Sequence, residues 1–258
     1  MKLSLDRQSP FGLVVTSVEQ GTALDSVSFP MLVEWIKSDR VVVLRGFRPL
    51  NDEQLSGFCS GLGEVLEWDF GPINELRVQS DAKNYLYTNH EVPLHWDGAF
   101  VGRIPRYIFF QCEDASSGNG GETLFCDTVR LLKDADSREV NLWKQISIRY
   151  STEKIAHYGG SFVSHLLSTH PVSGENTIRF AEPVKDLNPV SLDISGLPKQ
   201  AVDSFLDDLG KRMRNPKYCY AHHWRTGDIV IADNHALLHG RRAFKQDAKR
   251  HLRRVNIL

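Results

Sequence analysis

Short apolar runs separated by turn-forming residues recur along the chain, and they predict a mainly β fold. Residues 41–46 form a continuous apolar run that ends in Arg45 and Gly46, which is typical of a buried strand. Residues 229–233 have the same character, and residues 106–112 are a further largely apolar strand. Many short strands with Gly-rich turns favour a sandwich or jelly roll.

Apolar side chains at three- and four-residue spacing predict helices outside this β core. Phe29, Leu32 and Ile36 lie on one stripe of the first predicted helix. Asn51 and Gln54 have the spacing of a capping box, which predicts the start of a second helix. We expect further helices within residues 128–145 and over the amphipathic segment 199–213.

Several other segments carry weaker patterns. Residues 85–87 and 95–100 are predicted as strands, and residues 106–127 as a hairpin with a long Gly-rich tip. Residues 152–177 contain two adjacent glycines beside aromatic and histidine residues. This segment can be a hinged lid over a site or an ordinary loop, and both interpretations stay open.

Composition narrows the class of protein. The 258 residues are 41% hydrophobic and 24% charged, which suits a single globular domain over residues 1–258. A net charge of −1 argues against a nucleic-acid partner, and no apolar run is long enough to cross a membrane. The four cysteines form no Cys-x-x-Cys pair, so we expect reduced thiols and a cytoplasmic protein.

The sequence His95-Trp96-Asp97 carries the first candidate chemistry. On a strand, His95 and Asp97 would share one face while Trp96 pointed to the other. An imidazole beside a carboxylate supplies two of the three ligands in the two-His-one-carboxylate set of non-haem iron oxygenases. With ten His and 32 acidic residues, this spacing arises about once by chance, so the motif alone is weak.

Four features further along the chain strengthen this interpretation. Thr123 follows a Gly-Gly-Glu turn, and His239 follows a buried strand and a short loop near the C-terminus. Arg250 and Arg254 share a face of the predicted last strand. With residues 41–47, 224–228 and 233–234, these motifs resemble, in order and spacing, the TauD/TfdA family of Fe(II)- and 2-oxoglutarate-dependent dioxygenases. The resemblance covers nearly the whole chain.

The resemblance implies a fold, two cofactors and a set of residue roles. The family fold is a double-stranded β-helix, a jelly roll with flanking helices. Position by position, His95, Asp97 and His239 would hold Fe(II) as the catalytic centre. Arg250 would pair with the distal carboxylate of 2-oxoglutarate, and Thr123 would donate to it. A planar two-pronged guanidinium suits a carboxylate better than a lysine does.

Rival residues surround two of these positions. His235 stands where the family often has Arg, and motif register favours His239 over it as the ligand. His222 and His223 are interpreted as strand or rim residues. The resemblance implies that Arg254 meets an acidic group of the substrate; the alternative is a salt bridge with a surface acid. Arg253 competes for both arginine roles but would point away.

The expected partners are O₂ and a small molecule that carries a carboxylate. Among branches of the family, the chain most resembles the one that oxidises amino-acid-derived isonitriles, such as tyrosine isonitrile, in secondary metabolism by hydroxylation or desaturation. Tyr87, His157, Tyr158 and Phe162 are candidates for an aromatic substrate pocket. Sulfonate and aryloxy-acid dioxygenases are the next choice, and a zinc hydrolase or a non-catalytic metal-binding jelly roll would be a different class.

Overall fold

The computed structural model describes most of the chain. The described stretches are residues 2–115, 120–155, 158–245 and 248–258, without the side chains of residues 154, 155 and 158. His157 and the side chain of Tyr158, both candidates for the substrate pocket, therefore lie outside the described residues, as does part of the Gly-rich loop after residue 115.

Sixteen strands and five α-helices make up the described chain. The strands are β1 (Leu3–Arg7), β2 (Leu13–Ser17), β3 (Val41–Arg45), β4 (Asn74–Leu76), β5 (Val92–His95), β6 (Tyr107–Asp114), β7 (Thr123–Asp127), β8 (Ser147–Ile155), β9 (Tyr158–His165), β10 (Leu167–Thr169), β11 (Asn176–Ile178), β12 (Ser191–Ser195), β13 (Cys219–His222), β14 (Ile229–Asp233), β15 (Leu237–Arg241) and β16 (His251–Ile257). The helices are α1 (Phe29–Asp39), α2 (Asp52–Ser60), α3 (Thr128–Lys133), α4 (Ser137–Trp143) and α5 (Val202–Met213).

Two sheets form the core of the fold. A seven-stranded sheet has the order β1-β2-β3-β14-β6-β16-β4, and a four-stranded sheet has the order β13-β7-β15-β5. Phe110 and Val230 of the larger sheet pack against Phe125 and Leu237 of the smaller one, so the two sheets face each other across an apolar layer. This arrangement confirms the predicted jelly-roll core.

Helices cover the outer faces of the two sheets. Leu32 of α1 and Leu55 of α2 pack on Val42 and Leu44, while Val41 and Val43 face the layer between the sheets. Strand β3 is therefore buried on both faces, which explains its unbroken apolar sequence. Behind the smaller sheet lie α3, α5 and a three-stranded sheet of order β12-β8-β9. No described helix is long and apolar enough to cross a bilayer.

The predicted helix starts are confirmed in detail at α2. Asn51 Oδ1 accepts from the backbone N–H of Gln54 at 2.9 Å, and the Gln54 side chain accepts from the Asn51 N–H at 3.1 Å. Both halves of the capping box are therefore formed. Residues 199–213 form a short 3-10 turn followed by α5, as their amphipathic pattern predicts.

Three local predictions are wrong. Tyr85–Tyr87 is a 3-10 turn capped by the Asn84 side chain, not a strand. The strand at His95 ends there, and residues 96–100 leave the sheet. Strands β6 and β7 do not form a hairpin, because β6 belongs to the seven-stranded sheet and β7 to the four-stranded one. The last of these errors arises because β6 and β7 lie in different sheets, which local patterns do not encode.

Candidate active site

The two histidines of the predicted triad face each other across a strand pair. His95 ends β5, and antiparallel pairing with β15 sets it directly opposite His239. Their ring centroids are 4.3 Å apart. The Nδ1 of His95 lies 2.8 Å from the carbonyl oxygen of Pro93, and donation to that oxygen leaves Nε2 as the free lone pair.

Asp97 reaches the same point by a route different from the predicted one. Because β5 ends at His95, strand alternation does not place the Asp97 side chain. Instead the side chain of Asn234 accepts from the Asp97 N–H at 2.9 Å and donates to the Asp97 carbonyl at 3.0 Å. Gly98 then turns the chain with φ +111, where an added Cβ would lie 2.6 Å from the Arg103 carbonyl oxygen.

The carboxylate of Asp97 is held from two sides. Its Oδ1 lies 3.6 Å from His95 Nε2 and 3.8 Å from His239 Nε2. Its Oδ2 accepts from Asn256 Nδ2 at 2.8 Å and lies 3.2 Å from Arg254 Nη1. Burial alone would raise the pKa of Asp97, but the charge of Arg254 and the nearby imidazoles hold it well below its usual range. Oδ1 is thus an ionised oxygen aimed at the two rings.

These three residues fit a divalent transition metal. One ligand atom from each of His95, Asp97 and His239 lies within 4.8 Å of the others. Burial, together with the neighbouring His95, lowers the pKa of His239 to about 3, so its imidazole is neutral and has a lone pair to give. Two imidazoles and one carboxylate on one side leave further coordination positions open, as in non-haem iron oxygenases.

A buried arginine lies beside this centre without a carboxylate of its own. Arg250 is 7% exposed, and its Nε donates to the Gly121 carbonyl at 2.9 Å. Its Nη2 lies 3.3 Å from Thr123 Oγ1. Within the described stretches no carboxylate pairs with it, and burial, reinforced by Arg241, lowers its pKa to about 9. A buried cation in this state favours an anionic ligand.

Thr123 is prepared to donate to such a ligand. Its hydroxyl oxygen accepts from Trp224 Nε1 at 2.9 Å and from Arg250, so its own proton is free for another acceptor. Gly121, at φ +75, passes so close that a Cβ there would lie 3.0 Å from Arg250 Cδ. The glycine is therefore needed for Arg250 to lie flat beside Thr123.

A cavity of about 420 Å³ lies against two of the predicted metal ligands. His95, Asp97 and Arg254 line one end of it. Aromatic side chains line much of the rest, and these are Trp68, Phe70, Tyr85, Tyr87, Trp96 and Phe100. Tyr87, a predicted substrate contact, is therefore in the wall, whereas Phe162 packs behind it against Trp96 with ring centroids 6.4 Å apart.

The rival residues lie away from the triad. His235 contacts Arg179, whose Nη2 is 3.4 Å from His235 Nδ1, and its ring stacks edge-on with His170. His222 is buried in β13 beside Tyr220, and His223 is at the surface. Arg253 points to the opposite side of the sheet and pairs with Asp52.

Three polar residues of the site were not predicted from the sequence. Asn234 fixes the backbone of Asp97, Asn256 fixes its carboxylate, and Asn74 lies in the cavity wall. Asn256 is two residues after Arg254 on the same strand face, so alternation along β16 could have indicated it. Asn74 can be identified as a site residue only once the pairing of β4 with β16 is known.

Comparison with known proteins agrees with this geometry. The 3-((Z)-2-isocyanoethenyl)-1H-indole synthase of Fischerella ambigua is 43% identical over 262 residues, spanning 100% of this chain and 96% of that protein. The tyrosine isonitrile desaturase of Pseudomonas aeruginosa is 37% identical, spanning 97% of this chain and 88% of that protein. The crystal structure of PvcB from Pseudomonas aeruginosa superposes with a TM-score of 0.83 at 34% identity, covering 99% of this chain and 91% of PvcB.

The fold and the converging ligand set define a jelly-roll oxygenase of the non-haem iron class. The family described as taurine catabolism dioxygenase TauD, TfdA matches residues 6–256, and the chain belongs to that family. It is thus a dioxygenase, and the predicted dependence on Fe(II) and 2-oxoglutarate is confirmed for the class, since PvcB is described as an Fe, alpha-ketoglutarate dependent oxygenase. The single domain over residues 1–258 stays a prediction.

Proposed function

We propose that this dioxygenase introduces a carbon–carbon double bond into an isonitrile derived from an aromatic amino acid. Two relatives are named tyrosine isonitrile desaturase, and a third is named for an indole that bears an isocyanoethenyl group. All three names describe an isonitrile, and the names of two describe desaturation outright. The third name also contains a carbon–carbon double bond beside the isonitrile, but no carboxylate, so an isonitrile acid gives that product when CO₂ is lost as the double bond forms.

One structural observation carries the proposal for this chain. The metal-binding end of the cavity, at His95 and Asp97, is continuous with walls made of Trp68, Phe70 and Phe100. A volume of about 420 Å³ is within the roughly 300–1,000 Å³ of small-molecule sites, and aromatic walls suit a phenol or indole ring. A substrate whose ring lies against these walls would bring its aliphatic carbons toward the triad.

Each residue of the site has a role in this reaction. His95, Asp97 and His239 would hold Fe(II), which with 2-oxoglutarate and O₂ supplies the oxidising power. Arg250 and Thr123 would bind the distal carboxylate of 2-oxoglutarate and so fix the orientation of the keto acid. The buried surroundings of Arg250 exclude competing water, which strengthens this ion pair.

The overall reaction balances without a further reductant. Two hydrogen atoms leave adjacent carbons of the substrate, and a double bond forms between those carbons. The 2-oxoglutarate loses CO₂ and takes up one oxygen atom of O₂ as succinate. The second oxygen atom accepts the two hydrogens as water.

We place this reaction in the cytoplasm, where reducing conditions maintain unpaired thiols such as the four cysteines of this chain.

Turnover with defined isonitriles tests the proposal. Protein loaded with Fe(II) would be incubated with 2-oxoglutarate, ascorbate and either tyrosine isonitrile or its tryptophan analogue. We expect one succinate for each product molecule. The product should be lighter than the substrate by two hydrogen atoms, or by two hydrogen atoms and CO₂ where the carboxylate is lost. His95→Ala, which removes one metal ligand, is the control without turnover. Product from taurine or an aryloxyacetate, with none from either isonitrile, would instead favour the sulfonate or aryloxy-acid alternative.

A further inference from the structure

Asn74 lies in the cavity wall next to the metal-binding end. It begins β4, where antiparallel pairing sets it opposite Arg254 of β16, so both side chains are on the same face of the sheet. Arg254 in turn contacts Asp97. Asn74 is only 6% exposed, yet it lines the cavity. A buried amide at this position is one side chain away from the metal ligand.

Tyr87 fixes which way the Asn74 amide points. The Tyr87 hydroxyl donates to Asn74 Oδ1 at 3.1 Å. Because that hydroxyl has a single proton, the bond holds the amide oxygen toward Tyr87 and leaves Nδ2 with two N–H donors. No residue in the described ranges accepts a hydrogen bond from Nδ2. Because Asn74 lines the cavity, these N–H groups are available to a hydrogen-bond acceptor on a ligand.

Arg254 presents a second donor to the same space. Its Nη1 is engaged with Asp97, whereas Nη2 has no partner among the residues that the structure describes. Once Fe(II) and 2-oxoglutarate are bound, the charges of Asp97, Arg250 and Arg254 leave this end of the cavity net positive. An anion is therefore favoured there over a neutral polar group.

We infer that Asn74 Nδ2, oriented by Tyr87 and beside Arg254, binds the carboxylate of the isonitrile substrate. This inference rests on the proposed function, because it takes the substrate to be an amino-acid-derived acid. Asn74 would touch the substrate, and Tyr87 is a positioning residue that acts through Asn74. Held by its carboxylate at this end, the substrate presents its adjacent carbons to the triad while its ring extends along the aromatic wall.

Kinetics of Asn74 variants with the isonitrile acid test the contact. Asn74→Leu should raise KM about 10- to 100-fold, as expected for losing a hydrogen bond to a charged group, with kcat within about threefold of wild type. Asn74→Asp, which has nearly the same shape and still accepts from Tyr87, should raise KM further by repelling the carboxylate. An unchanged KM in both variants would overturn the inference.

A double-mutant cycle separates the roles of Tyr87 and Asn74. Tyr87→Phe should raise KM about three- to tenfold in the wild-type background and have no further effect in Asn74→Leu. Additive effects would mean that Tyr87 contacts the substrate itself. Asn176→Leu is the matched control, because Asn176 is an exposed asparagine of β11 outside the cavity lining and its loss should leave KM unchanged.

Substrate analogues distinguish this inference from the proposed function. Wild-type turnover of the isonitrile acid tests the function itself, and its absence would overturn both. If wild type turns over the acid, the methyl ester of the same isonitrile should bind wild type and Asn74→Asp with similar KM, because the carboxylate charge is gone. A penalty for Asn74→Asp that is as large with the ester as with the acid would overturn the carboxylate contact and leave the desaturase function intact.

Discussion

Asn256 Nδ2 donates a 2.8 Å hydrogen bond to Asp97 Oδ2, the carboxylate oxygen that faces away from the two histidines. Arg254, two residues earlier on β16, reaches the same oxygen at 3.2 Å. Together they hold Oδ2 and turn Oδ1 toward His95 and His239. The last strand therefore orients the Asp97 carboxylate, while Asn234 holds the backbone of Asp97.

From this relationship we expect metal affinity to depend on Asn256. Asn256→Leu should weaken Fe(II) or Mn(II) binding by about 10- to 100-fold, because partners that orient a ligand typically contribute that much. Anaerobic titration, followed for Mn(II) by electron paramagnetic resonance, measures the effect without turnover. Asn176→Leu, at an exposed asparagine of β11, is the control. Equal affinity in wild type and Asn256→Leu would contradict the orienting role.

Arg250 is expected to control the requirement for 2-oxoglutarate and not the metal. Arg250→Gln should raise the apparent KM for 2-oxoglutarate by about 30-fold or more, since it removes one partner of a buried charge pair. Fe(II) affinity should stay at the wild-type value. Arg253→Lys, at the neighbouring arginine that pairs with Asp52 on the opposite side of the sheet, should leave both quantities unchanged. A flat 2-oxoglutarate requirement in Arg250→Gln would assign the carboxylate to another residue.

The sequence correctly predicted the elements that are determined by residues close together in the chain. The capping box at Asn51 and the doubly buried strand β3 follow from spacing and unbroken apolarity alone. Family motifs identified His95, Asp97 and His239 as a group, and the structure brings their side chains together. Strand alternation was, however, the wrong explanation for the position of Asp97. Strand β5 ends at His95, and the Asn234 side chain holds the backbone of Asp97 in place.

Residues whose partners lie on strands far away in the chain were the ones that sequence patterns missed. Asn74 matters because β4 pairs with β16, a contact between strands far apart in the chain. The 106–127 hairpin was expected because β6 and β7 are consecutive apolar runs with a glycine-rich link. Apolar alternation reports that a strand is buried but not which sheet buries it, so pairing of this kind has no local signal.

Arg241 anchors the cavity wall to the strand that carries His239. Its guanidinium donates to the backbone carbonyl oxygens of Leu86, Thr88 and His90 at 3.0, 2.6 and 2.7 Å. These carbonyls belong to the segment that carries Tyr87. Burial lowers the pKa of Arg241 to about 10, and its guanidinium also lies 5.2 Å from the centre of the Phe244 ring.

Removing this anchor should loosen the wall. Arg241→Met should speed amide hydrogen exchange across residues 85–90 and lower the free energy of unfolding by about 2–4 kcal/mol, because three backbone carbonyls lose their donor. Hydrogen exchange with mass spectrometry and denaturant unfolding measure the two effects. Arg242→Met, at the adjacent exposed arginine, is the control. If residues 85–90 exchanged at the wild-type rate in Arg241→Met, the 3-10 turn Tyr85–Tyr87 would be enough to hold this segment in place.

His235 is expected to make stability depend on pH. Burial, and then the nearby charge of Arg179, lowers its pKa to about 4, while Asp233 acts in the opposite sense and His170 and Arg106 add to the lowering. An unfolded histidine has a pKa of about 6.5. Between these values the unfolded chain binds a proton that the folded chain does not, so stability falls as pH drops from about 6.5 toward 4.

Unfolding by denaturant at pH 7 and pH 5 measures this dependence. His235→Gln keeps an acceptor near Arg179 but cannot titrate, so the wild type should lose about 2 kcal/mol more than this variant between the two pH values. His165→Gln, at an exposed histidine of β9, should lose as much as the wild type does. If His235→Gln and wild type lose equal stability, the proton is taken up elsewhere. His235 contacts Arg179 and His170 and lies apart from the triad, so this experiment measures the free energy of unfolding without altering the metal site.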